Sequence, residues 1–357
     1  MKRFRDILLL LLVTILTGCD ATIHEYPDTD IRPIVVPVTL HLDFSTDLPL
    51  YQSIKSTRNN LSDEDFDLRY IVNVYQASLY RQISGDMVAQ FVFSKDDVSE
   101  WNNTVQFELE KGHYDFVVWA DYVDAGSVED KYYNTSSFSL ISINGTLSGS
   151  NDYRDAFVGN GKFDLAATAG PYEYTIPMTR PMAKYRFIST DIDSFISRML
   201  ALKKKRQEEA NRANGEDTKG EDTKGDDTKT DTKVEVNLDD YYVVFKYSEY
   251  LNSAYNALMD IAAVPLRGFS FRSSIKQIDD HEAEIGFDYV FVADETSAKI
   301  VIEVYEKNGE KVGGTAEKTV PLKRSMLTEV RDAFLTSEEE GGVGIDPEFE
   351  DEFTIPI

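Results

Sequence analysis

Tyr114-Asp115-Phe116-Val117-Val118-Trp119-Ala120-Asp121-Tyr122 is the stretch that decides the fold. Tyr114, Phe116, Val118 and Ala120 recur at every second position, which is the period of a β-strand rather than a helix. The same alternation spreads outward. Val38, Leu40, Leu42 and Phe44 share one face, with Thr39, His41 and Asp43 on the other. Leu68/Tyr70/Val72/Val74, Val105/Phe107/Leu109 and Tyr172/Tyr174/Ile176/Met178 repeat it. Turn-forming residues separate these runs: Ser84-Gly85-Asp86, Asn102-Asn103, Lys111-Gly112, Asn144-Gly145 and Asn160-Gly161. No strand leads into a convincing crossover helix, so a parallel sheet is not expected and an all-β sandwich is.

A second set of strands begins at Met182–Ser189, where Ala183, Tyr185 and Phe187 alternate with Lys184 and Arg186. Asp191 or Asp193 is placed to cap a short helix carrying Phe195, Ile196, Met199, Leu200 and Leu202 at helical spacing. The charged run Lys203–Arg212 ends it, and a tandem repeat follows: Gly215-Glu-Asp-Thr-Lys219, Gly220-Glu-Asp-Thr-Lys224, Gly225-Asp-Asp-Thr-Lys229. Residues 215–233 include no apolar side chain, so nothing offsets the entropy of ordering them, and a disordered loop inserted in the second domain is expected. Such a loop costs little, because closure entropy grows only logarithmically with length. Strands resume at Tyr241/Val243/Phe245/Tyr247, Phe287/Tyr289/Phe291 and Ile300/Ile302/Val304. Lys307-Asn308-Gly309-Glu310 reads as a type I′ hairpin turn, and Val320–Leu322 and Thr328/Val330/Asp332/Phe334 follow. Phe353, Ile355 and Ile357 alternate once more, so the final strand is a candidate either for its own sheet or for a partner's.

Apolar residues make up 42% of the chain, and Tyr and Phe number 20 each against 2 Trp, a composition suited to half-buried strands. Asp plus Glu is 63 against 37 Lys plus Arg, a net charge of −26 that repels nucleic acid and anionic lipid. Nucleic acid is therefore not an expected partner.

The first residues have the layout of an export signal. Lys2, Arg3 and Arg5 precede the apolar run Ile7–Leu16, and small residues lead to Cys19. About ten apolar residues make a helix of about 15 Å, half a hydrocarbon core, which is too short to span. Leu16-Thr17-Gly18-Cys19 resembles a lipobox, with cleavage between Gly18 and Cys19 and lipid on the Cys19 sulfur. Cys19 is the only cysteine, so a lipidated mature chain would hold no disulfide, no Cys-bound metal and no Cys nucleophile. Residues 1–18 are then the signal, 19–34 a Pro-containing tether, and the lipid holds the protein on a membrane without spanning it.

Candidate chemistry is sparse. His24, His41, His113 and His281 are scattered singly and read as surface residues rather than metal ligands or bases. Asp63-Glu64-Asp65-Phe66-Asp67 opens like a calcium loop, but Leu68 stands where the turn needs Gly and Val74 where Glu is needed. A solvated acidic loop is the plain reading there and at Asp346, Glu348, Glu350, Asp351 and Glu352. Among 63 acidic residues no pair stands out as a glycosidase dyad. Gly341-Gly342-Val343-Gly344 lacks the strand and helix that frame a phosphate loop, and no GxSxG, Walker or GxGxxG motif occurs. Neither a metal nor a cofactor is expected. Trp101, Trp119 and the pairs Tyr132/Tyr133 and Tyr241/Tyr242 could form a sugar platform, although aromatics at strand spacing are more often core.

Several stretches resemble an uncharacterised lipoprotein family of Bacteroidota that is itself similar to the fimbrillin superfamily, especially its lipoprotein anchor subunits. They are His24-Glu25-Tyr26-Pro27, Leu40–Phe44 with Leu48–Tyr51, Tyr114–Tyr122, Tyr132-Tyr133-Asn134-Thr135, Arg154-Asp155-Ala156-Phe157 and above all Arg180–Thr190. Gly286–Val292, Val320–Arg324 and Gly342–Asp346 add to them. The resemblance implies two tandem transthyretin-like β-sandwiches of about seven strands each, over residues 35–180 and 181–357, with 203–236 as the charged helix end and loop. It implies a non-enzymatic anchor or accessory subunit of fimbriae, lipid-anchored on the outer membrane and exposed at the cell surface. Other fimbrial subunits would be the partners, joined by β-strand addition. Only Arg32 and Arg58 precede the second strand as protease sites, and neither has a clear processing context, which favours an anchor or terminal subunit over a repeating one. The alternative is a surface glycan-binding lipoprotein of a nutrient-uptake system.

Overall fold

The run around Tyr114–Tyr122 becomes an inner strand whose two faces are both buried. The computed structural model describes residues 34–44, 66–78, 83–94, 103–215 and 234–337. Its strands are β1 (Val35–Asp43), β2 (Phe66–Gln76), β3 (Met87–Phe93), β4 (Thr104–Glu110), β5 (His113–Asp124), β6 (Tyr133–Asn134), β7 (Ile141–Ile143), β8 (Ala156–Asp164), β9 (Tyr172–Pro177) and β10 (Met182–Ser189). Helix α1 (Ile192–Gly215) comes next. The remaining strands are β11 (Tyr241–Tyr247), β12 (Leu251–Asn256), β13 (Ile261–Leu266), β14 (Ser270–Ser273), β15 (Lys276–Gln277), β16 (Ala283–Phe291), β17 (Glu295–Glu306), β18 (Lys311–Gly314), β19 (Lys318–Lys323) and β20 (Leu327–Asp332). The all-β class expected from the sequence is the class observed.

Two sheets, β4-β1-β9 and β3-β2-β5-β8, face each other. Val36, Val38, Leu40 and Leu42 of β1 meet Tyr70, Val72, Val74, Phe116, Val118 and Ala120 in one core. Full burial of a Leu or Phe contributes roughly 1.5–3 kcal/mol, which is why the alternating face wins over any other register. A three-stranded sheet against a four-stranded one is the strand number the resemblance implies. The second pair of sheets is β15-β16-β10-β20 against β14-β11-β17-β18, with β19 added beside β17. Ala183, Tyr185, Phe187, Val243, Phe245 and Ile302 fill this core, and Ile192, Phe195 and Met199 of α1 close one side of it.

A third core lies between the two sandwiches. Val117 and Trp119, on the outer face of β5, pack with Tyr133, Tyr255, Phe287, Tyr289 and Phe291. A further sheet, β13-β12-β7-β6, runs beside it, and β12 pairs with β7 through Ala254 beside Ser142 and Tyr255 beside Ile141. The halves of the chain before and after Arg180 therefore share a sheet.

The β-bulge at Gly286 makes this possible. Phe187 pairs with Gly286 but Ile188 pairs with Glu284, so β16 gains a residue there. Ala283 and Ile285 face the second sandwich, whereas beyond the bulge Phe287, Tyr289 and Phe291 face the third core. One extra residue inverts the facing of all that follow. A side chain at Gly286 would place its Cβ 2.4 Å from the Phe245 ring, so glycine is required by close approach.

Several sequence expectations need correction. The pairing is mainly antiparallel, in keeping with a sandwich and not a parallel sheet, but it includes two parallel pairs that the sequence reading did not foresee, β1 with β9 and β10 with β20. In each case the pair joins the first and last strands of one sandwich, and the long connection is made by the intervening strands rather than a helix. Asn160-Gly161 is not a turn but lies inside β8, opposite Val117 and Phe116. A Cβ on Gly161 would sit 2.7 Å from the Phe116 ring, so this glycine marks close packing. Helix α1 runs on through the charged segment, held to the body by Lys203 on Asp240 (3.2 Å) and Arg206 on Glu306 (2.8 Å). The 307–310 hairpin is not type I′. Only Gly309 has positive φ (89°), its N–H bonds to the Glu306 carbonyl at 2.8 Å, and a bulge follows. The described part of the tandem repeat is Gly215 alone; the rest lies outside the described residues.

Candidate functional site

Of the residues singled out from sequence, Gly18, Cys19, His24, Trp101, Asp63–Asp65, Gly341–Gly344, Asp346–Glu352, Phe353, Ile355 and Ile357 lie outside the described residues. His41 places Nδ1 3.2 Å from Thr104 Oγ1. His113 and His281 sit 3.1 Å from Asp164 and 3.3 Å from Asp193, on separate parts of the surface. Among the described residues no group of three or more His, Cys, Asp or Glu could hold a metal ion. No described helix is long and apolar enough to cross a membrane.

Asp191 does not cap α1 with its side chain. Its carbonyl accepts the Phe195 N–H at 2.9 Å, while its carboxylate takes the Thr336 N–H at 2.8 Å and ties the chain after β20 to the helix start. The sugar-platform reading of Trp119 and Tyr133 is overturned, because both are fully buried in the third core. Trp119 meets Tyr133 edge-on at 5.6 Å, and the Tyr133 hydroxyl donates to the Arg154 carbonyl. Tyr241 is buried as well, but its neighbour Tyr242 points to the opposite, outer face of β11.

What the sequence reading missed is a seam of buried ion pairs along the third core. Arg69 and Asp121 are cross-strand neighbours on β2 and β5, joined by two bonds of 2.9 and 2.7 Å. Arg69 also reaches the Val128 carbonyl at 2.7 Å and Asp130 at 3.0 Å, which pins the loop after β5. The other pairs cross between the halves or flank their junction. Arg154, in the 3-10 turn Asp152–Arg154, pairs with Asp288 of β16. Asp288 also accepts from the Tyr247 hydroxyl at 2.7 Å, and Tyr247 in turn meets Tyr185 at 2.7 Å. Arg180 grips Asp155 with three bonds of 2.8–3.0 Å. Lys184 reaches Asp152 at 2.9 Å while lying 4.3 Å over the Phe287 ring. Burial pushes the Asp121, Asp155 and Asp288 carboxyls above the usual range, against the pull of their arginines.

These buried charges face each other inside the protein and not an open cleft, so what they do is fix geometry. Bidentate Arg–carboxylate forks fix both distance and orientation, and stripping one partner from such a buried pair is far more costly than replacing both. The signal was present in the sequence. Asp121 is a lone charge in the apolar run Phe116–Val123, and Asp288 stands alone between Phe287 and Tyr289.

The fold and the seam define an all-β protein of paired sandwiches fastened by a third, shared core. The chain belongs to a family of unknown function, DUF6562, whose profile matches residues 35–357. No curated protein sequence matches it significantly. Among solved structures it is similar to a candidate polysaccharide-binding protein of the DUF1812 family from Bacteroides thetaiotaomicron, at 12% identity and TM-score 0.41, covering 78% of this chain and 79% of that one. It is also similar to a candidate adhesin from Bacteroides ovatus, at 11% identity and TM-score 0.40, covering 87% and 95%. A third is the fimbrial anchor protein Mfa2 from Porphyromonas gingivalis, at 10% identity and TM-score 0.37, covering 79% and 82%. Likenesses at this level assign neither a ligand nor a partner.

Proposed function

We propose that the chain is a non-enzymatic, lipid-anchored structural protein of the cell surface, an anchor or accessory subunit of fimbriae joined to its neighbours by β-strand addition. The sequence resemblance suggests this role, and Cys19 supplies the foot on the outer membrane. The observation that carries the proposal is the seam. A subunit linking a membrane foot to a filament has to transmit tension through its body. Here a shared sheet, a buried aromatic core and the Arg154–Asp288 pair couple the half before Arg180 to the half after it.

An edge strand among the described residues supports this reading. β3 ends its sheet in the order β3-β2-β5-β8, and Met87, Val88 and Val92 on it are 53%, 46% and 40% exposed. A strand that ends its sheet among the described residues and carries exposed apolar side chains would suit augmentation by a partner strand. Phe353, Ile355 and Ile357 remain the candidate strand this chain would offer in exchange. The glycan-binding alternative loses Trp119 as a platform.

The test is a photo-crosslinking residue in place of Val88, activated on intact cells. Capture of fimbrial subunits is the expected result. Capture of a glycan porin with no fimbrial subunit would overturn the proposal.

A further inference from the structure

An open surface cleft of about 530 Å³ lies along β14 and β11, between the outer face of the sheet β14-β11-β17-β18 and the Thr146–Leu147 segment. Tyr242 lies beside Tyr305 and Val244 beside Arg272 in the strand register, so these four side chains project from the same face. The two tyrosine rings are stacked, with centroids 5.4 Å apart and planes 11° from parallel. The Arg272 guanidinium lies over the Tyr242 ring, 4.7 Å from its centroid. Thr146 and Ser270 add hydroxyl groups to the rim.

Arg272 is the unexplained part. Elsewhere in this half Arg186, Arg206, Arg324 and Arg331 rest on carboxylates and Arg198 on the Thr336 carbonyl, while Arg267 lies over the Tyr250 ring but does not line the cleft. Arg272 is exposed and, among the described residues, lies over the Tyr242 ring without an ion pair, in a chain of net charge −26. A guanidinium stacked on an aromatic ring keeps its N–H edge free for a two-pronged grip on a carboxylate. The stack also holds the side chain in place before a ligand arrives, so less ordering is required on binding. Around it the cleft offers the hydroxyls of Thr146, Ser270 and Tyr242, which suit the hydroxyls of a sugar ring, while the Tyr305 hydroxyl is held by Glu303 at 2.7 Å.

We propose that this cleft binds a carboxylate-bearing sugar, a uronate unit, with Arg272 taking the carboxylate and the Tyr242–Tyr305 stack bordering the ring. The site does not depend on the fimbrial role, since a structural subunit at the cell surface can hold a glycan as well.

The test is calorimetric titration of the full chain with trigalacturonate, its methyl ester and triglutamate, repeated on Arg272→Gln and Tyr242→Ala. Both positions are on the outer face, and an unchanged melting temperature shows that the variants are folded. Trigalacturonate is expected to bind, and Arg272→Gln or methyl esterification to weaken it by about tenfold or more, the effect of losing one charge-assisted pair. Tyr242→Ala weakens it too, by freeing Arg272. Failure of trigalacturonate to bind, equal binding of acid and ester, an unaffected Arg272→Gln variant, or equally tight triglutamate would each overturn the proposal.

Discussion

Replacing Asp288 with Asn tests whether the seam holds the two halves together. The Arg154 and Asp288 side chains are 3% and 1% exposed, so the substitution leaves a guanidinium with no counter-charge and no route to water. Breaking a buried pair on one side costs about 3–5 kcal/mol. For a chain of 357 residues that is a fall in melting temperature of roughly 4–7 °C. Part of the network survives, because the Tyr247 hydroxyl can still donate to an Asn oxygen, which places the loss toward the lower figure. Urea unfolding followed by Trp fluorescence reads it directly, since Trp119 sits in the third core. Because that core draws on both halves, the unfolding transition should move as a whole and not split. The companion variant Arg154→Met with Asp288→Leu removes both charges and should recover most of the loss. An Asp288→Asn protein within about 0.5 kcal/mol of the parent, the level of an ordinary surface substitution, would refute the reasoning. So would a double variant no more stable than the single one.

Gly286→Ala should cost about 1–3 kcal/mol, the usual penalty for overpacking, as its Cβ meets the Phe245 ring; equilibrium unfolding measures it. Burial opposes ionisation of Glu329, but Arg186 and Arg331 prevail and hold its carboxyl below the usual range. Its contribution to stability is therefore present above the unfolded value of about 4.3 and is lost as pH falls through the lower folded value. Glu329→Gln should flatten that part of the acid limb in a pH series of melting temperatures, and an unchanged limb would contradict the assignment. Cys19→Ser should abolish labelling by radioactive palmitate and release the protein from the membrane fraction.

The alternation of single faces was legible in the sequence. The runs at Val38–Phe44, Val105–Leu109, Ala183–Phe187 and Tyr241–Tyr247 all became strands with the expected side inward. Burial of the second face of β5 was not anticipated, because Val117 and Trp119 alternate with core residues and look like the outward side of a sandwich until another sheet covers them. β8 was hidden by Asn160-Gly161, whose turn chemistry gave way to tight packing against Phe116. β13, with Ala262, Ala263 and Pro265, carries no strand-period signal at all. Pairing of first strand with last depends on contacts far apart in the sequence, which local periodicity does not encode. The segments that carry the family resemblance include Asp121, Arg154, Asp155, Arg180, Lys184 and Asp288. Those residues make the seam, so the site was visible as a likeness before its physical role was.

The central claim, that this chain is a structural subunit of fimbriae, is tested most directly by counting and measuring fimbriae by electron microscopy on cells lacking the gene. Fimbriae that are fewer, altered in length or shed into the medium are expected, with rescue by the intact chain and not by Cys19→Ser. Unchanged number, length and retention in a strain that makes fimbriae would contradict it.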